Sequence, residues 1–161
     1  VARVTQGWDV ALMFEPGRMI AANAGVLVAR VIAIHERPET GKSFLILDAG
    51  MNDLMRPALY EAFHEIRPIR PRQGAAVAYD VVGPICESTA TFARDRELAP
   101  LQAGDLVAFM TAGAYGASMS NEYNTRPMVP EVLVRGDQWS VVRRRPDYEA
   151  MLAREPLAKW L

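Results

Sequence analysis

The sequence predicts a mostly β domain, a sandwich or a barrel. Three observations carry that expectation. Short runs rich in β-branched residues recur along the chain, separated by Pro- and Gly-bearing turns. No long helical pattern alternates with these runs, as a doubly wound α/β sheet would require. Half of the 161 residues are hydrophobic and 23% are charged, enough apolar material for a core and too much for a disordered tail.

The elements follow in order. Val10-Ala11-Leu12-Met13-Phe14 is apolar throughout and stops at Glu15-Pro16-Gly17-Arg18. It reads as a short strand buried on both faces, part of a different layer or domain. Val26 to Ile34 is a long strand, and the polar turn Glu36–Lys42 leads to an antiparallel return strand, Ser43 to Asp48. Arg56-Pro57-Ala58-Leu59-Tyr60 fits a short helical turn with proline near its start. Ile66 to Pro71 has proline too often to be helical. Ala76 to Val82 is a strand stopped by Gly83-Pro84, and Leu106 to Met110 is a strand introduced by Gly104-Asp105. The small-residue stretch Thr111–Ser118 follows. Gly136-Asp137 between two apolar runs, Glu131–Arg135 and Gln138–Val142, signals a hairpin. From Pro146 onward, Tyr148, Met151, Leu152 and Leu157 recur at roughly helical spacing and predict a closing amphipathic helix.

Eighteen basic residues face nineteen acidic ones, so the net charge of -1 gives no broad attraction to nucleic acid or to an anionic membrane. A single cysteine excludes an intrachain disulfide and a cysteine-rich zinc site, and suits a reducing compartment such as the cytoplasm. Val1-Ala2-Arg3-Val4-Thr5-Gln6 is neither a signal peptide nor a membrane anchor. A start without methionine suits a processed chain or a piece of a longer one. His35 and His64 are far apart, no acidic or cysteine cluster has metal-ligand spacing, and no phosphate loop or nucleophile elbow is present.

Several clusters can carry chemistry, and each also has a purely structural reading. Glu15-Pro16-Gly17-Arg18 sets a carboxylate, a bare backbone and a guanidinium at a strand end. Glu15 suits a cationic ring nitrogen and Arg18 a carboxylate or phosphate, or the segment is a turn closed by an ion pair. Arg56 and Tyr60, four apart on a helix, can grip one anion, or the arginine simply shields the ring. Asp48-Ala49-Gly50-Met51-Asn52-Asp53 is adequately explained as a strand-to-helix connection with Asx capping. Cys86, between Gly83-Pro84-Ile85 and Glu87, is either a structural cysteine or an exposed thiol whose carboxylate neighbour suits it to donating a proton. Gly113-Ala114-Tyr115-Gly116 clears space beside one ring for a flat ligand, or packs that ring in a tight turn.

Taken in order, Glu15–Arg18, Asp48–Tyr60, Gly83–Ser88, Gly113–Gly116 and Tyr123-Asn124-Thr125-Arg126-Pro127 closely resemble the diaminopimelate decarboxylase family. The resemblance implies a pyridoxal 5'-phosphate enzyme of the alanine racemase-like fold, with a (β/α)8 barrel, a C-terminal β domain and a homodimeric assembly. Residues 1–24 would be the last barrel strand and its loop, and residues 25–161 the β domain. The implied activity is decarboxylation of meso-2,6-diaminopimelate to L-lysine, the last step of lysine biosynthesis. Glu15 would partner the ring nitrogen, Gly17 and Arg18 would contact phosphate and substrate, and Arg56 and Tyr60 would clamp a substrate carboxylate. Cys86 would be the general acid, Glu87 would read the distal ammonium, and Tyr115 would touch both cofactor and substrate. Cys86 and Glu87 would act in the partner subunit's site. Neither Lys42 nor Lys159 resembles the lysine that carries the cofactor, so the 161 residues alone are expected to be inactive. One departure is Ala90, where the family usually has aspartate. The alternatives are a related decarboxylase of the ornithine or carboxynorspermidine type, or a non-catalytic dimerisation module.

Overall fold

The computed structural model of the chain describes residues 3–160; Val1 and Ala2 of the N-terminal reading, and Leu161, lie outside the described residues. Six strands form one sheet: β1 (Leu27–Arg37), β2 (Lys42–Leu47), β3 (Ile66–Pro68), β4 (Val77–Val82), β5 (Thr91–Leu98) and β6 (Leu106–Phe109). Their spatial order is β3-β6-β1-β2-β4-β5. The two edge strands curl toward each other. Near that seam, Arg96 Nη1 on β5 donates to the carbonyl of His64, just before β3 (3.3 Å). The result is a nearly closed, mostly β domain, as the sequence predicts.

The sheet is antiparallel except for β2 and β4, which run parallel with Ser43 opposite Tyr79 and Leu45 opposite Val81. The alternating pattern of β1 turns Ala29 and Val31 inward and leaves Val28 and Ile32 exposed. Leu45 and Leu47 on β2, Val81 on β4, and Val107 and Phe109 on β6 are fully buried. The Phe109 ring tilts against Phe92 with centroids 4.6 Å apart.

A second sheet is the hairpin of β7 (Glu131–Arg135) and β8 (Gln138–Arg143), turned at Gly136 with φ +63°. Short helices complete the chain: α1 (Arg18–Ala21), α2 (Arg56–Tyr60) and α3 (Tyr148–Leu152). Proline at the start of α2 and the Asp147 side chain capping the Ala150 N–H of α3 fix two of their beginnings.

Two expectations differ from the structure. Val10–Phe14 forms no strand, and Met13 is 93% exposed. A strand needs a neighbour to satisfy its backbone, and no described segment pairs with it. Conversely, Thr91–Leu98 is a strand that its sequence hides behind four consecutive charges, Arg94 to Glu97. Asp95 there adopts φ +47° where the β4–β5 register shifts, and its N–H donates to the buried Asp80 Oδ1 (2.9 Å). Lys42 Nζ lies 3.6 Å from Asp80 and 3.3 Å from Asp95, so part of the charge is neutralised on the sheet itself.

The connection from β2 to α2 is held by buried polar groups. Asp53 Oδ2 accepts the Gly50 N–H (2.8 Å), and its Oδ1 accepts from Asn52 Nδ2 (3.1 Å). Burial pushes the Asp53 carboxyl above its ordinary value, more strongly than the Gly50 N–H and the charges of Arg126 and Arg145 pull it down.

Two predictions follow from this packing. Phe109→Ala should cost about 3–5 kcal/mol in urea unfolding, because it empties the centre of the core; a loss under about 1 kcal/mol would contradict that placement. The folded state holds the Asp53 proton more tightly than the unfolded chain does. The contribution of this group to stability is therefore full below the ordinary carboxylate value and is lost as pH rises through the raised one. Unfolding of wild type and Asp53→Asn across mildly acidic pH should show the wild type losing ground to the variant as pH rises. A wild type that gains ground as pH rises would contradict a raised Asp53 carboxyl.

Candidate functional site

The site begins with a close approach of two backbones. Gly113 N donates to Ala22 O (3.0 Å) and Ala112 N to Gly25 O (2.9 Å). A β-carbon on Gly25 would lie 2.7 Å from Gly113 Cα, so the contact depends on glycine. It pins the segment around α1 to the loop that leaves β6. Two residues further along that loop, Tyr115 takes φ +61°, a conformation rare for a side-chain-bearing residue. Its hydroxyl then lies against Gly17, where a β-carbon would collide with it. Gly17 is therefore bare to admit the Tyr115 phenol, a neighbour that the sequence does not reveal. Glu15 and Arg18 flank this corner, both exposed, with Arg18 opening α1.

The other wall comes from α2. Its 3.6-residue turn sets Tyr60 beside Arg56. The Arg56 guanidinium lies 5.2 Å from the Tyr60 ring centroid and 5.3 Å from that of Tyr115. Two ring faces thus hold one half-buried cation. The Arg56 Nε–H is buried and has no hydrogen-bond partner. A buried donor without an acceptor is costly, and an anion placed there would satisfy it. Gly17, Arg56, Tyr60 and Tyr115 are brought together, although Gly17 and Tyr115 are far apart in sequence.

Cys86 and Glu87 lie on the loop between β4 and β5, whose Ser88 and Thr89 border one surface cavity with Pro57 and Ala58 of α2. The base of that loop is set by Gly83, where a β-carbon would lie 2.7 Å from Ala49 O. The Cys86 thiol is free and exposed. Glu87 Oε1 accepts from Ser88 Oγ (3.2 Å). Glu87 also lines a cavity of about 310 Å³ with Met51, Met55, Thr89 and Tyr123. Ala90 is buried at the end of the loop, its N–H donating to Glu87 O (2.9 Å). Among the described residues, no hydrogen bond or ion pair joins Cys86 or Glu87 to the Arg56 cluster. The chain presents a half-buried guanidinium between two rings and, on the β4–β5 loop, a thiol beside a carboxylate.

Asn52, Asp53 and Arg126 belong to this region without having been singled out individually by sequence reasoning. Asn52 and Asp53 look like ordinary turn formers, and only the fold shows them buried. Among the described residues, no helix is long and apolar enough to cross a membrane.

Residues 18–113 match the C-terminal sheet domain of the pyridoxal-dependent decarboxylases. The chain is 48% identical, over all 161 residues, to the diaminopimelate decarboxylase of Zymomonas mobilis, and covers 38% of that protein. Among solved structures it resembles the diaminopimelate decarboxylase of M. jannaschii in co-complex with L-lysine, with a TM-score of 0.84 and 39% identity over 91% of this chain and 33% of the other. The lysine/ornithine decarboxylase of Vibrio vulnificus complexed with cadaverine is less similar, with a TM-score of 0.63 and 30% identity over 71% of this chain and 31% of the other. The chain thus spans less than two-fifths of the length of the relatives it matches. With its six-stranded sheet matched from α1 to the loop after β6, the chain belongs to the pyridoxal-dependent decarboxylases and carries their C-terminal sheet domain.

Proposed function

We propose that this chain is the C-terminal part of a diaminopimelate decarboxylase, which converts meso-2,6-diaminopimelate to L-lysine and carbon dioxide with pyridoxal 5'-phosphate. The observation that carries the reading is the Arg56 guanidinium held between the Tyr60 and Tyr115 rings with its Nε–H unpartnered. A substrate with a carboxylate at each end needs such a receptor at the end that is not reacting. Likeness to the M. jannaschii enzyme in co-complex with L-lysine supports the product, and the lower likeness to the lysine/ornithine enzyme argues against the alternative substrates.

The residues present fit the cofactor along one edge. The Tyr115 phenol and the bare Gly17 corner line one side, with Arg18 following Gly17 in the chain and Glu15 two residues before it. Pyridoxal phosphate, when bound, supplies the electron sink for the pair released when carbon dioxide leaves. Glu15 would partner the ring nitrogen and keep it protonated, while Gly17 and Arg18 would meet phosphate and substrate. Tyr115 would border cofactor and substrate together, Arg56 and Tyr60 would hold the distal carboxylate, and Glu87 would pair with the distal ammonium. Once carbon dioxide has left, Cys86 would deliver its Sγ proton to the carbon that bore the departing carboxylate.

In this reading the protein is a homodimer in which Cys86 and Glu87 complete the partner subunit's site. A free, exposed thiol fits a reducing compartment, the cytoplasm. Lys42 is engaged with Asp80 and Asp95, which argues against it as the lysine that carries the cofactor.

The direct test is the whole protein containing this chain, supplied with meso-diaminopimelate, ornithine or lysine. Lysine and carbon dioxide should form from diaminopimelate alone, and absence of that product would refute the assignment. Cys86→Ala in the same protein should lower kcat by roughly 10²- to 10⁴-fold, the usual worth of a positioned acid, with the cofactor absorbance unchanged. Retained turnover would remove Cys86 from the mechanism.

A further inference from the structure

The loop that carries Tyr115 is held in an improbable conformation. Thr111, Tyr115, Asn124 and Thr125 have φ of 56°, 61°, 57° and 55°, a region that residues with side chains seldom occupy. Such backbone persists only where its surroundings fix it. Here the fixing comes from the segment that leads into α2. Asn121 N donates to Asn52 O (3.0 Å), and Asn52 Nδ2 donates back to Asn121 O (3.3 Å). Arg126 Nη2 donates to Asp48 O (2.6 Å) and lies 3.9 Å from Asp53 Oδ2. Asn52 is 0% exposed and Asp53 4%, so these two anchor the ties from within the fold, while the Arg126–Asp48 bond closes over them at the surface.

The two tied segments are those that bring Tyr115 and Arg56 together. Helix α2 has five residues and no side-chain cap at its start, too short to orient Arg56 by its own rigidity. Its direction is inherited from the loop before it.

We propose that Arg126 is a positioning residue for the substrate clamp: with the buried Asn52–Asp53 pair it locks the Tyr115 loop to the segment entering α2, so that Arg56 lies between the rings of Tyr60 and Tyr115. The inference rests on the reading of Arg56 as the receptor of the distal carboxylate. Arg126 touches neither substrate nor cofactor in this role.

The test is a double-mutant cycle in the whole holoenzyme, with KM and kcat for meso-diaminopimelate, cofactor absorbance and thermal midpoint measured for each variant. Arg126→Ala should raise KM about tenfold while kcat changes by less than about threefold and the absorbance stays the same. In an Arg56→Ala background, Arg126→Ala should raise KM no further. Arg126→Lys, which keeps the charge and one donor toward Asp48, should recover most of the affinity. If Arg126→Ala does not fold, Arg126→Lys carries the same cycle, with an expected rise of about threefold. An unchanged KM with a lower thermal midpoint would make Arg126 a purely structural residue and overturn the proposal. KM effects that multiply in the double variant would place Arg126 outside the clamp, with the same consequence. If Arg56→Ala itself leaves KM unchanged, the clamp reading fails first and the positioning role fails with it.

Discussion

The contact between the backbones of Gly113 and residues 21–25 sets the geometry around Arg56. A side chain on Gly113 would lie 2.7 Å from Gly25 N and 3.1 Å from Ala22 O. Strand register leads straight into this contact. Leu27 on β1 pairs with Phe109 on β6, and just beyond that pair the two chains meet at Gly25 and Ala112. The buried Phe109 side chain therefore does more than fill the core. It anchors the register that decides where Tyr115 emerges and whether its phenol reaches Gly17.

The Arg56 wall shows how a cation can be fixed without using up its donors. Ion pairing with a carboxylate of this chain would have satisfied the guanidinium and closed it to a ligand. Two aromatic faces attract the charge through their π-clouds and occupy none of its N–H groups. The same physics makes the arrangement dependent on the rings being well placed, because ring faces impose weaker direction than a bidentate ion pair.

Legibility from the sequence follows how local each cause is. The β1–β2 pair, the β7–β8 hairpin and α2 are readable because β-branched runs, Gly136-Asp137 and Arg56-Pro57 act over a few residues. The Arg56–Tyr60 pairing is readable for the same reason. Strand β5 is not, because its charges are answered by Asp80 and Lys42 from other strands. Val10–Phe14 shows the opposite limit: apolarity marks a segment suited to burial, but a strand also needs a neighbour, and none of the described residues supplies one. The Tyr115–Gly17 contact and the Asn52–Asn121 and Arg126–Asp48 ties join residues distant in the chain, so no local pattern announces them.

The parallel pairing of β2 with β4 has a consequence for where specificity can reside. Parallel neighbours cannot be joined by a tight turn, so the chain must leave the sheet and return from the far side. On the way it contributes β3 to the opposite edge, and the first half of that excursion contains Asn52, Asp53, Arg56 and Tyr60. The Arg56 cluster is thus built on a detour that topology makes compulsory. A detour of this kind can change its length and side chains while both strands keep their register, so the proposed substrate clamp could vary without the sheet being redesigned.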